Sequence, residues 1–69
     1  MDDELKVGDL VIFLWAGVFE VHGIVDEIYG SGERRHAVLL LSPEVSGYVV
    51  DEPTTLSLPI HKVQRALAA

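Results

Sequence analysis

The segment from Leu10 to Trp15 is apolar at every position, and this feature restricts the possible folds of the chain most. A strand with one face in water alternates apolar and polar residues, because successive side chains point to opposite faces of a sheet. Here both faces of the strand are apolar and must be buried, and the same holds for Ala37–Leu41. A chain of 69 residues has room for one small core, so one face is left without a partner inside the chain.

The residues after this segment, Ala16 and Gly17, predict a hairpin. A two-residue loop would give Ala16 a positive φ, which a residue with a Cβ disfavours. We therefore expect a three-residue loop, Trp15-Ala16-Gly17, built on a type I turn with Gly17 in the left-handed position of a bulge. This register places Phe13 opposite Phe19, and the predicted core face then comprises Val11, Phe13, Phe19 and Val21.

Turn residues divide the rest of the chain into short strands. Gly23 lies inside a long second strand, where glycine often marks a bulge or a bend. Pro59 ends the fourth strand and favours a single tight 3-10 turn before the last one. The apolar insert Tyr48-Val49-Val50 lies in a long loop, Ser42–Pro53. The predicted strands are Leu10–Leu14, Val18–Tyr29, Arg34–Ser42, Thr54–Leu58 and Val63–Arg65.

A turn at Ser31-Gly32 would connect the second and third strands. It would place Tyr29 opposite Arg34 and Glu27 opposite His36. The second of these pairs has the composition of an acid–base couple. A cross-strand charge pair on a solvated face is the favoured interpretation of the same two residues.

Five short strands, a long bent second strand and a 3-10 turn before the last strand predict an all-β fold, a five-stranded SH3-like barrel. The landmarks are "KVGDLV", "VFEVHGIVDEIY" and "LSLPIHKVQRA". We expect a single barrel domain over residues 7–66, preceded by a flexible acidic N-terminus, 1–6, and followed by a short tail, 67–69.

Within that class the chain resembles the plasmid-borne, gene-cassette type of dihydrofolate reductase. The segments "VGDLV", "VHGIVDEIY" and "TLSLP" occur in the order of that family. The resemblance implies a small barrel that assembles into a tetramer around a central pore. The family's ligand-binding strand, Val-Gln-Ile-Tyr, is replaced by Thr54–Leu58, so none of its functional residues is present.

Composition and motifs disfavour several classes of function. The formal net charge is −6, and a nucleic-acid binder usually shows a basic stripe instead. There is no cysteine, and His22, His36 and His61 lack the spacing of a zinc site, so we predict no metal and no cofactor. Phosphate-loop, dinucleotide and nucleophile motifs are also missing, which favours a non-catalytic protein.

The length and position of the apolar runs predict a cytoplasmic protein without a membrane segment. A membrane helix needs about 20 apolar residues, and the longest run, Leu10–Phe19, is interrupted by Gly17. The first residues are acidic, whereas a secretory signal begins with basic residues.

The unpartnered apolar face predicts self-association as a dimer or tetramer. A monomer seldom exposes an apolar patch of more than a few hundred Å², and a symmetric dimer is the simplest way to bury one. A protein partner on the same patch and a small-ligand or enzymatic pore at an oligomer axis remain alternatives. The expected interface residues are Leu10, Ile12, Leu14, Val38 and Leu40.

A further alternative is a peptide-binding rim of the kind found on SH3-like and Tudor-like barrels. Aromatic rings at one end of a barrel bind peptides or methylated cations, and an arginine grips a carboxylate or phosphate. The candidate rim residues are Trp15, Tyr29, Arg34 and Tyr48.

Overall fold

The computed structural model describes residues 5–66, and its main feature is one antiparallel five-stranded sheet. In chain order the strands are β1 (Leu10–Trp15), β2 (Phe19–Tyr29), β3 (His36–Leu41), β4 (Thr54–Pro59) and β5 (Gln64–Arg65). They are hydrogen-bonded in the order β4-β3-β2-β1-β5. The predicted all-β, five-stranded fold is confirmed, while closure into a barrel stays a prediction. The predicted 67–69 tail and most of the predicted 1–6 segment lie outside the described residues.

Three short helical turns connect the strands. The 3-10 turn predicted before the last strand is confirmed as Ile60–Lys62, and a second 3-10 helix, Gly32–Arg34, connects β2 to β3. The helix α1 (Pro43–Ser46) lies in the segment predicted as a loop. Pro43 suits the first turn of a helix, and Gly47 ends it in the left-handed conformation. The residues that begin and end this helix are therefore typical ones that the sequence shows.

The core lies on one face of the sheet and follows the period of two that strands impose. On β1 the alternate residues Val11 and Phe13 are buried, and on β3 the alternate residues Ala37, Leu39 and Leu41 are buried. Half-buried side chains such as Trp15 and Leu58 pack around this cluster. The buried apolar residues are Val11, Phe13, Val21, Val25, Ala37, Leu39, Leu41 and Val63.

The turn between β1 and β2 differs from the prediction. Ala16 has φ +54° and Gly17 has φ +77°, so both residues are left-handed, and the amide of Val18 donates to the carbonyl oxygen of Trp15 over 3.1 Å. This is the geometry of a type I′ turn, whose twist matches that of the flanking strands. The prediction of a type I turn with right-handed Ala16 is wrong, because strand twist outweighs the steric cost at one alanine.

The predicted register of this hairpin is also wrong, by two residues. Phe13 lies opposite Val21, and Trp15 lies opposite Phe19. A shift of two keeps every residue on its face, so the core assignment of Val11, Phe13 and Val21 holds. Phe19, expected in the core, lies at the end of the strand and is 63% exposed.

The connection between β2 and β3 likewise corrects the predicted pairing. The Gly32–Arg34 helix lengthens the turn, so Tyr29 lies opposite His36 rather than Arg34. Glu27 consequently lies opposite Val38 rather than His36. The predicted Glu27–His36 pair is therefore absent, and with it the acid–base couple.

The irregularity in β2 does not lie at Gly23. The register against β3 shifts between Val25 and Glu27, which leaves Asp26 as the extra residue of a bulge. Gly23 lies on the core face, where a Cβ would meet the side chain of Leu41. The glycine therefore serves close packing of the core, and the bulge follows three residues later.

Candidate interaction surface

The outer face of the sheet, opposite the core, carries an apolar row that runs across three strands. Leu10 on β1 lies opposite Ile24 on β2, and Ile24 lies opposite Leu40 on β3. The row continues to Thr55 on the end strand β4. Leu10 and Leu40 are 42% and 37% exposed, and Ile24 is half-buried between them. We call Leu10, Ile24 and Leu40 the outer row.

The other predicted interface residues lie on the same face, beside the outer row. Ile12 and Leu14 follow Leu10 at alternate positions of β1, and Leu14 is 57% exposed. Val38 precedes Leu40 on β3 by two positions. The structure thus brings the five predicted residues onto one face. We call the whole set the outer patch: Leu10, Ile12, Leu14, Ile24, Val38 and Leu40.

Ile24 is the residue of this patch that the sequence analysis missed. It is central, because it pairs with both Leu10 and Leu40. The signal was present: Val21 and Val25 flank it at positions that alternation assigns to the core, which assigns Ile24 to the outer face. The predicted role of Gly23 as a bend hid this alternation.

Polar side chains border the outer patch. His22 and Gln64 lie on either side of Ile12, and Glu20 lies opposite Leu14. On the other side, Val38 lies between Glu27 and Ser57. An apolar centre with a polar border is the usual composition of a protein–protein interface.

The candidate rim residues are distributed over different parts of the molecule. Trp15 pairs with the first residue of β2, whereas Tyr29 is the last residue of that eleven-residue strand. Tyr48 follows α1 and is 74% exposed with φ +66°. Arg34 ends the 3-10 helix that follows β2 and is exposed. The ring contacts of the described residues are Phe13–Trp15 and Tyr29–His36, which is not the convergent set of rings that a cage needs.

Tyr29 nevertheless has a defined structural setting. Its ring stacks on that of His36 with centroids 5.3 Å apart and planes at 13°. Its hydroxyl forms a 2.8 Å hydrogen bond with the hydroxyl of Ser57, across β3. The Nδ1–H of His36 donates to the carbonyl oxygen of Arg34 over 2.7 Å, which fixes the ring under Tyr29. These contacts hold the end of the sheet together.

The histidines and acids of residues 5–66 form no group of three that could hold a metal ion. His22 lies on the outer face beside Ile12, His36 stacks on Tyr29, and His61 lies in the last 3-10 helix. The same part of the chain has no helix of the length and apolar character needed to cross a membrane.

The fold and this surface define the class of the protein: a small all-β protein with a single five-stranded antiparallel sheet and an exposed apolar patch on its outer face. Comparison with models of protein families, with curated proteins and with solved structures found no match.

Proposed function

We propose that the protein is a non-catalytic SH3-like barrel module that self-associates through the outer patch. The observation that carries the proposal is the outer row, in which Leu10, Ile24 and Leu40 lie directly opposite one another on three adjacent strands. Single apolar residues scattered over a surface are normal in soluble proteins and do not indicate an interface. Register-matched residues on adjacent strands form a continuous surface instead.

A second copy of the chain is the occupant that these features favour. The apolar centre of the outer patch carries no charge, so two copies of the chain can pack there without burying a carboxylate in the centre of the contact. Each aliphatic side chain fully buried in the contact stabilises it by about 1.5–3 kcal/mol. A domain of this size without disulfides is marginal alone, and oligomerisation is a usual remedy.

The resemblance to the gene-cassette dihydrofolate reductases supports the oligomeric part of this proposal, because those enzymes are bare barrels stabilised by assembly. It does not support a reductase activity. The strand that would carry the ligand-binding residues is β4, in which Thr55 and Ser57 are exposed and Leu56 packs against the core. Neither Gln nor Tyr is present there.

Size-exclusion chromatography with light scattering tests the proposal directly. We expect the wild type to elute as a dimer or tetramer at micromolar concentration and Leu40→Asp to elute as a monomer, because the new charge would be buried without a partner. Val18→Asp is the matched control, since Val18 is 69% exposed in the β1–β2 turn and outside the outer patch. It should keep the oligomeric mass.

The milder substitution Leu40→Thr places on β3 a β-branched residue, which strands favour, and it should weaken association. It serves as the test variant if Leu40→Asp fails to fold. Circular dichroism confirms folding of each variant. A folded wild-type monomer, or an unchanged mass for both Leu40 variants, would overturn the proposal. A monomer that binds apolar dyes until another protein is added would assign the outer patch to a partner of different sequence.

A further inference from the structure

A cleft opens between the β1–β2 turn and the Ile60–Lys62 3-10 helix. It forms because β5 pairs with β1 only at Val11 and Ile12, so the later residues of β1 have β2 as their neighbour on one side alone. Its main part has a volume of about 390 Å³, within the range of about 300–1,000 Å³ typical of small-ligand sites. The lining residues are Phe13, Leu14, Gly17, Leu58 and Lys62.

The chemistry of this cleft is asymmetric. Three of its five lining residues carry apolar side chains, and the single charge is the ammonium group of Lys62. Within the described part of the chain, no carboxylate lines the cleft and none forms an ion pair with Lys62. The cleft therefore presents a local positive charge in a chain whose net charge is −6.

A second, smaller depression of about 270 Å³ adjoins the cleft and shares Phe13, Leu14 and Lys62 with it. Glu20 lines this depression but not the main cleft. Because Glu20 offsets the charge of Lys62 in the smaller depression and no carboxylate does so in the larger one, an anionic group is favoured in the larger one.

We propose that this cleft binds a small amphipathic carboxylate. The apolar body of the ligand packs against Phe13, Leu14 and Leu58, and its carboxylate accepts a charge-assisted hydrogen bond from Lys62 Nζ. Mostly apolar walls with one directional polar group are the usual composition of a small-molecule site. The cleft shares Leu14 with the outer patch, but the outer row of Leu10, Ile24 and Leu40 does not line it, so ligand binding and self-association use largely different residues.

Octanoate and 1-octanol form a matched pair of probes, since they share an apolar chain and differ in charge. Titrated into the ¹⁵N-labelled protein and followed by amide chemical shifts, octanoate should perturb Phe13, Gly17, Leu58 and Lys62. We expect octanoate to bind about tenfold more tightly than 1-octanol, the effect of one hydrogen bond to a charged group. Equal affinity for the two probes, or shifts centred on Ile24 and Leu40, would overturn the proposal.

Lys62→Met removes the charge and keeps a long side chain, and it should reduce octanoate affinity to that of 1-octanol. Lys6→Met makes the same change of net charge at a residue that does not line the cleft, and it should leave the affinity unchanged. Unaltered octanoate binding by Lys62→Met would refute the role of Lys62. Leu40 lies on β3 and does not line the cleft. Repeating the titration with Leu40→Asp therefore separates ligand binding from self-association, because each can fail while the other holds.

Discussion

Gly23 and Leu41 approach so closely that a Cβ on Gly23 would lie 2.8 Å from Cδ2 of Leu41. Leu41 has no exposed surface, so its side chain has little room to move. Gly23 is also the one glycine of six whose φ is not positive. The backbone at position 23 would therefore accept other residues, and it is the lack of space beside Leu41 that requires glycine there.

Gly23→Ala should lower the free energy of unfolding by about 1–3 kcal/mol, the usual cost of overpacking a core. The reduced entropy of the unfolded chain offsets about 0.4–1 kcal/mol of this loss. Urea denaturation at one fixed protein concentration measures the change. Leu41→Val makes room for the new methyl group, so the double variant should lose less stability than the two single losses added together. Strict additivity would contradict the contact.

Ala16 stores strain in the β1–β2 turn, because its φ of +54° is left-handed. This conformation costs a residue with a Cβ about 1–2 kcal/mol, and asparagine tolerates it better. Ala16→Asn should therefore raise the free energy of unfolding by up to about 1 kcal/mol, whereas Ala16→Val should lower it, since β-branched residues resist positive φ. Thermal melts followed by circular dichroism compare the two. A gain from valine would contradict the left-handed turn.

The hydrogen bond between the hydroxyls of Tyr29 and Ser57 joins β2 to β4 across β3. Tyr29→Phe removes this hydrogen bond but keeps a ring to stack on His36. Because both hydroxyls are exposed, we expect the free energy of unfolding to fall by at most about 0.5–1.5 kcal/mol. Ser57→Ala should cost a similar amount, and the double variant should cost little more than either single change. Fully additive losses in urea denaturation would show that the two hydroxyls do not interact.

The faces of β1, β3 and the first part of β2 could be predicted from the sequence, because a period of two fixes the faces once a strand is recognised. The bulge at Asp26 reverses the alternation for the rest of β2, where Ile28 packs on the core. Val11, Phe13, Ala37 and Leu39 are buried as their alternation predicts, and Leu10 and Leu40 point away from the core. The two-residue error in the β1–β2 register left these assignments intact.

Registers were harder to predict, because turns fix them and turn energies are small. One left-handed alanine at position 16 and one short helix at Gly32–Arg34 moved both hairpins from the predicted pairing. The outer row depends on the actual registers, so Ile24 could be placed between Leu10 and Leu40 only from the structure. The cleft beside Lys62 depends on how far β5 extends along β1. Because β5 has only two residues, the sequence pattern does not predict where its pairing with β1 ends.

Asp9 connects the beginning of the sheet to its last strand. Its Oδ2 accepts a 2.9 Å hydrogen bond from the amide of Lys6 and lies 3.4 Å from Nε of Arg65 on β5. Asp9→Ala removes both interactions and should lower the free energy of unfolding by about 1 kcal/mol. Asp9→Asn keeps an acceptor for the Lys6 amide and loses only the ion pair, so it should cost a few tenths of a kcal/mol, within the range of exposed pairs.

Salt separates the two contributions of Asp9, because the ion pair is partly exposed and is screened whereas the amide hydrogen bond is not. Urea denaturation in 1 M NaCl, where the Debye length is about 3 Å, should bring Asp9→Asn close to the wild type. Asp9→Ala should remain less stable than both, since the Lys6 amide still lacks its acceptor. If Asp9→Ala also reached wild-type stability in high salt, the carboxylate would act through its charge alone and the turn at Lys6 would not depend on it.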